Sequence, residues 1–253
     1  MNLSFKKYGQ GTPLLIFHGL FGSGDNWTTH AKKWAEHGFC VYTIDQRNHG
    51  HSAHSNEMNY QLMADDAENL IASEGLRDII LLGHSMGGKT SLYLAERIPF
   101  IISKMVIVDM GTKAYPPHHN EVFKALRKIP LDQIKTRGEA EVYMKESSLD
   151  QATQQFLLKN LFWIEPGKLA WRFNLDVLEN TIPNIIAGFN GTISSIPTLF
   201  IRGGHSNYIL KDDINQISKQ INLAQFKTLT NSGHWPHAEQ PNEFFNAVLQ
   251  FIS

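Results

Sequence analysis

Four short runs of apolar residues, each ending abruptly at a polar residue or a glycine, constrain this chain more than any other feature. Residues 14–17 end in His18-Gly19, residues 39–44 in Asp45, residues 79–82 in Gly83-His84, and residues 105–108 in Asp109. Each run is continuous rather than alternating. That predicts strands buried on both faces, as in a parallel sheet. Helical spacing over residues 62–72 and 90–97 fills two of the gaps, and the second helix must stop before Pro99. Strand and helix in alternation predict an open α/β sheet.

After Asp109 the pattern changes. Residues 121–129, 139–146 and 151–161 read as helices, and no convincing strand lies between residues 115 and 189. Strand patterns return at residues 198–201 and 226–229, and an amphipathic helix over 242–252 closes the chain. The expectation is a core domain of residues 1–114 and 190–253 with a helical cap of residues 115–189. Insertions of that length commonly cover a site.

Composition excludes several functions. Only 19% of the 253 residues are charged, against about 25% in an average globular protein, and 42% are hydrophobic. Lys plus Arg number 23 and Asp plus Glu 24. A balance this even argues against nucleic acid or an anionic membrane as partner. No run approaches the roughly 18 apolar residues of a membrane span, and the first residues lack a signal-like apolar stretch. Cys40 stands alone, so no internal disulfide can form. A soluble cytoplasmic protein is expected.

The most informative stretch is Gly83-His84-Ser85-Met86-Gly87-Gly88, between a strand and a helix. It spells G-x-S-x-G. A serine on so tight a turn is lifted above the sheet at a helix N-terminus, and only small residues fit two positions to either side. Gly83, Gly88, Lys89 and Thr90 also spell the phosphate loop G-x-x-x-x-G-K-[ST], with Asp109 as a would-be magnesium ligand. On this window alone the two readings are equal. The rest of the chain favours the serine. His18-Gly19 follows an earlier strand, Gly233-His234 follows a late one, and phosphate loops usually sit on the first strand.

A hydrolytic site then takes shape. Ser85 is the nucleophile and His234 its base, with His237 as competitor. The backbone N–H groups of Leu20 and Met86 would form an oxyanion hole. The acid usually follows the strand at 198–201, but Ser206 stands there. Asp212 and Asp213 come later and begin a helix. Asp109, at the end of the strand next to the elbow strand, is the better carboxylate. Its bland alternative is a structural cap.

These residues resemble the α/β-hydrolase superfamily. Closer matches are Phe17-His18-Gly19-Leu20-Phe21-Gly22-Ser23, Asp45-Gln46-Arg47-Asn48-His49-Gly50-His51-Ser52, Trp171-Arg172-Phe173-Asn174 and Arg202-Gly203-Gly204-His205-Ser206. Together they resemble the YbfF-type bacterial esterases, related to abhydrolase-domain-11 proteins. The resemblance implies a cap inserted after the sixth strand, an acid at Asp109, a serine at 206, and hydrolysis of carboxylic esters or acyl thioesters without a cofactor. A non-catalytic ligand-binding protein on the same fold is the alternative, against which the intact Ser85 and His234 argue. The chain departs from the family at Met110-Gly111-Thr112-Lys113, where an apolar-Ala-Pro turn is more usual.

Phe21, Phe123, Phe162, Trp163, Trp171 and Trp235 are the expected substrate-binding residues, since ligand pockets are largely apolar. Lys124, Arg127, Lys128, Lys135 and Arg137 make the first half of the cap basic. This is either a solvated helix face or a landing site for the phosphates of coenzyme A. His49, His51 and His54 have metallo-hydrolase spacing, but Ala53 replaces the expected aspartate, so no metal is expected.

Overall fold

The computed structural model describes residues 1–253. Seven strands form one sheet: β1 (Phe5–Tyr8), β2 (Thr12–Phe17), β3 (Phe39–Ile44), β4 (Ile79–His84), β5 (Ile102–Val108), β8 (Thr198–Gly203) and β9 (Ala224–Leu229). Their order is β1-β3-β2-β4-β5-β8-β9. Only β1 is antiparallel to its neighbour. The strands read as continuous apolar runs are the central ones, and every residue of β3 and β4 is buried.

Helices cover both faces. α1 (Thr28–Ala35) and α9 (Pro241–Ile252) pack Trp34, Phe244 and Val248 against Leu14, Ile16 and Val106. On the other face, α2 (Tyr60–Ser73), α3 (Met86–Arg97) and α8 (Lys211–Gln220) bury Ala67, Leu92 and Ile217 with Leu15, Leu81 and Ile107. This satisfies two-sided strands, which must be covered on both faces.

The segment between β5 and β8 carries α4 (Asn120–Lys128), α5 (Arg137–Lys145), α6 (Gln151–Leu158) and α7 (Leu175–Ile185). It also contains an antiparallel hairpin, β6 (Leu161–Glu165) and β7 (Lys168–Trp171). The expectation of no strand there is corrected: Gly167 adopts φ +80° at the turn, and the residues around it pair as strands. The insertion follows the fifth strand of this chain, not the sixth. Its apolar residues do not form a separate core. Phe123, Leu126, Leu157 and Trp171 share one cluster with Phe21, Met58, Met63 and Met86 from below.

β2 and β4 pair although β3 separates them in the chain, so the strand order reverses between them. In open α/β sheets ligands bind beyond the carboxyl ends of the strands at such a point. The loop after β2 and the turn after β4 meet there.

Candidate active site

β4 ends at His84 and α3 begins at Met86, which leaves Ser85 alone on the turn. Ser85 has φ +52°, a conformation that costs a non-glycine residue about 1–3 kcal/mol and persists only where the surroundings impose it. They do so here. A Cβ on Gly83 would lie 2.2 Å from Gly87 O, and one on Gly87 would lie 2.1 Å from Phe17 O. The spacing of glycines around the serine is therefore a consequence of backbone contact.

Asp109 reaches Ser85 from the neighbouring strand and His234 from three strands away along the same sheet edge. Asp109 follows β5 directly, and His234 lies in the loop after β9. His234 Nε2 is 3.0 Å from Ser85 Oγ, and Nδ1 is 2.8 Å from Asp109 Oδ2. A carboxylate only accepts, so the proton sits on Nδ1 and Nε2 is free to accept from the serine hydroxyl. Asp109 has no exposed surface. Its Oδ1 accepts the Gly203 N–H at 3.0 Å, and its Oδ2 also accepts the Ser206 hydroxyl. Asp213 instead accepts from Lys113 Nζ and the Leu210 N–H at the start of α8, and Asp212 lies in the same turn.

Two further groups steady the histidine. Tyr208 stacks on the His234 ring, with centroids 3.9 Å apart and planes 15° apart. His84 Nε2 donates to the His234 carbonyl at 2.8 Å. Burial, reinforced by His237 and His234, holds the His84 pKa well below the ordinary value, so this ring is neutral. Sequence reasoning missed both residues. The available signals were an aromatic two positions after Ser206 and a histidine inside the elbow itself. His237 is not a rival: its ring stacks on Trp27 at 4.3 Å, away from Ser85.

The loop after β2 presses against the elbow. A Cβ on Gly19 would come within 3.2 Å of Ser85 Cβ and 2.8 Å of His84 Nδ1. His49 pins this loop: its Nδ1 donates to Arg47 O at 2.9 Å and its Nε2 accepts the Phe21 N–H at 3.2 Å. Both ring nitrogens are thus used within the loops. Asn48 O in turn accepts the Asn174 N–H at 2.9 Å, so the Arg-Asn-His-Gly and Trp-Arg-Phe-Asn segments are one contact. The N–H groups of Leu20 and Met86 have no acceptor within the protein.

Ser85 borders two cavities. The outer one, of about 220 Å³, is lined by His234, Trp235, Phe21, Phe156, Val122 and Leu149, among others. The inner one holds only about 20 Å³ and is walled by Tyr60, Met86, Met110, Tyr115, Ile185 and Ile186. Leu20, His118, His119 and Tyr208 border both. Beyond Phe156 and Trp235 the outer cavity continues into a polar groove with Lys159 and Arg172.

Four expected substrate-binding aromatics do not line these cavities. Phe123 packs edge-on against Phe21 inside the shared cluster. Trp171 stacks on Phe173 at 5.3 Å on the far side. Phe162 lies under the Arg172 guanidinium, and Trp163 is 47% exposed on the outward face of β6. Phe21 and Trp235 do line the outer cavity.

The basic stretch of the segment after β5 is mostly engaged with its neighbours. Arg127 sits between Asp176 and Glu179 at 2.6 and 2.7 Å, and Lys124 pairs with Glu121. Arg137 lies over the Trp163 ring and donates to Leu161 O. It offers no convergent site for phosphates. The phosphate-loop spelling fails for a similar reason. Lys89 is fully buried and donates to Lys113 O and Ala187 O, while Thr90 donates to Gln46 Oε1. Neither side chain faces a loop that could cradle an anion.

The α/β hydrolase fold family matches over residues 12–137. The chain is 34% identical over 259 residues to the sn-1-specific diacylglycerol lipase ABHD11 of Mus musculus, covering 95% of this chain and 81% of that one. It is 31% identical over 244 residues to esterase YbfF of Escherichia coli, covering 96% and 93%. Among solved structures, a marine microorganism esterase superposes with a TM-score of 0.96 at 37% identity over 99% of both chains. No helix is long and apolar enough to cross a membrane. On this similarity and this geometry, the chain belongs to the α/β-hydrolase family, among the YbfF- and ABHD11-type ester hydrolases.

Proposed function

We propose that the protein hydrolyses carboxylic esters through an acyl-enzyme on Ser85. The observation that carries this reading is the unbroken hydrogen-bond chain from Ser85 through His234 to Asp109. Ser85 Oγ attacks the acyl carbon while His234 Nε2 takes its proton. Asp109 keeps the ring oriented and stabilises the imidazolium. The carbonyl oxygen, now anionic, takes the Leu20 and Met86 N–H groups. His234 then returns the proton to the leaving oxygen. Water, activated by the same nitrogen, releases the acid.

The two cavities divide the substrate. The leaving oxygen must come within reach of His234 Nε2, and His234 and Trp235 line only the outer cavity. The alcohol therefore leaves outward and the acyl group points into the inner pocket. Residues 115–189 act as the cap of this site over a core of residues 1–114 and 190–253.

A second reading, acyl thioesters, is favoured by the outer groove. Lys159 and Arg172 line it and have no carboxylate within ion-pair distance, whereas Asp25 there is paired with Lys6 and Glu239 accepts backbone N–H groups. An anionic leaving group would find unpaired cations there.

Ser85→Ala tests the main reading. The variant should keep its far-UV spectrum and lose ester hydrolysis and fluorophosphonate labelling together. Retention of even a tenth of the activity would remove Ser85 as nucleophile.

A further inference from the structure

Lys89 takes no part in the proposed reaction, yet the fold goes to some length to bury it. It lies on α3, one turn beyond Ser85, with no exposed surface. No carboxylate lies within ion-pair distance; the rings of Tyr115 and Tyr60 stand 4.8 and 5.9 Å from its nitrogen. Burial pulls its pKa down to about 7. An amine is expensive to bury unless its donors are used, and these are used in a particular way.

Two linkers join the segment between β5 and β8 to the sheet, one around residues 112–115 and the other around 185–189. They run side by side. Phe189 N–H donates to Thr112 O at 2.7 Å and Tyr115 N–H to Ile186 O at 2.9 Å. Side chains from α2 and α3 hold the exit linker: Tyr60 donates to Ile185 O at 2.6 Å and Tyr93 to Gly188 O at 3.1 Å. Lys89 reaches both linkers, donating to Lys113 O at 2.9 Å and to Ala187 O. As ammonium or as amine it keeps at least two N–H donors, one for each linker.

The same linkers, with Met110 at the start of the first, wall the inner pocket behind Ser85. Met110 and Tyr115 come from the entry side, and Ile185 and Ile186 from the exit side. At about 20 Å³ the pocket has room for about one water-sized sphere, which suits the methyl of an acetyl group. Parting the linkers would deepen it.

We propose that Lys89 is a specificity-determining positioning residue, which clamps the entry linker at Lys113 to the exit linker at Ala187 and thereby confines the enzyme to esters of short acyl chains. The inference rests on the reading of Ser85 as nucleophile and of the inner pocket as the acyl site.

The test compares kcat/KM for nitrophenyl acetate and nitrophenyl hexanoate in wild type and Lys89→Met, with labelling of Ser85 by a fluorophosphonate followed by mass spectrometry. The wild type should favour acetate strongly. The variant should still be labelled and keep acetate turnover within a few-fold. Its acetate-to-hexanoate ratio should fall on the order of tenfold or more, the scale on which apolar pockets discriminate methylenes. A general loss of stability would lower both substrates together and leave the ratio alone. If Lys89→Met does not fold, Lys89→Gln is read in the same assay, since its shorter amide cannot span both linkers. An unchanged ratio in a folded, labelled variant overturns the inference, as does a wild type that takes both esters equally. A wild type that hydrolyses esters but is not labelled at Ser85 overturns instead the nucleophile assignment beneath it.

Discussion

The hydroxyl of Ser206 donates to Asp109 Oδ2, the same oxygen that the His234 ring meets at 2.8 Å. The carboxylate proposed as the acid thus sits one strand away from the usual loop, and a hydroxyl in that loop holds it. Asp109 turns toward the site because its own backbone is left-handed, with φ +47°, while its N–H stays bonded to Ile201 O at 2.7 Å. Three donors converge on a carboxylate with no exposed surface.

Asp109→Asn should lower kcat by about 10³–10⁴-fold, as loss of the carboxylate does in other triads. The amide cannot accept from all three donors or stabilise an imidazolium. Ser206→Ala removes one of three donors and should cost on the order of 10–100-fold, the scale of one hydrogen bond to a charged group. The double variant Asp109→Asn, Ser206→Asp would return the acid to the usual loop and should recover part of the lost kcat. Asp109→Asn with near wild-type kcat would reduce Asp109 to a structural role.

His234→Ala and Ser85→Ala should be about equally damaging, because groups that act as a unit do not contribute additively. His237→Ala should separate activity from stability. Its ring is packed against Trp27 and the edge of Phe244, so truncation leaves a cavity and should cost about 2 kcal/mol. Its kcat should stay within a few-fold of wild type. Steady-state kinetics beside urea melts would reveal a reversed ranking.

What the sequence made legible follows from how strongly each feature is constrained. The central strands are buried on both faces, so their apolar runs are unbroken. The elbow needs glycine at positions 83 and 87 because backbone oxygens stand where a Cβ would be. The placement of Asp109 beside the elbow could be read because β5 had to be adjacent to β4. β1 escaped notice since it is a half-exposed edge strand. The β6–β7 hairpin was hidden because Trp163 and Ile164 are apolar yet largely solvent-facing, and hydropathy carries no record of which way a residue points. Choosing the aromatics that face Ser85 required knowing how the segment after β5 docks. That depends on contacts such as Asn174 with Asn48 and Lys89 with both linkers, which no local pattern encodes.

If acyl thioesters are substrates, the phosphates should be felt in the outer groove. Lys159→Ala with Arg172→Ala should raise KM for acetyl-CoA several-fold and leave KM for nitrophenyl acetate unchanged. Arg127→Ala with Lys128→Ala should do neither, because Arg127 is held between two carboxylates. Equal effects of the groove pair on both substrates would reject phosphate binding there.

Acid should unfold this protein early. His18, His49 and His237 are buried, and burial pulls their pKa values down from 6.5 to about 4, about 3 and about 3. Each works as a neutral ring; His18 Nε2, for one, accepts the Gln46 N–H at 3.0 Å. In the unfolded chain the same rings protonate near pH 6.5. Between that value and the depressed native ones, the unfolded state binds more protons, so stability falls as pH falls. Each such group contributes a slope approaching 1.4 kcal/mol per pH unit, and the three together up to about 4 kcal/mol per unit around pH 5. Against a total of about 5–15 kcal/mol, that is enough to unfold the domain within a unit or two. Urea midpoints measured from pH 7.5 to 4.5 should be flat at first and then drop steeply below about pH 6.5. His237→Gln should make that drop shallower by roughly one proton. A midpoint that held steady down to pH 4.5 would mean that these rings carry their protons in the folded protein.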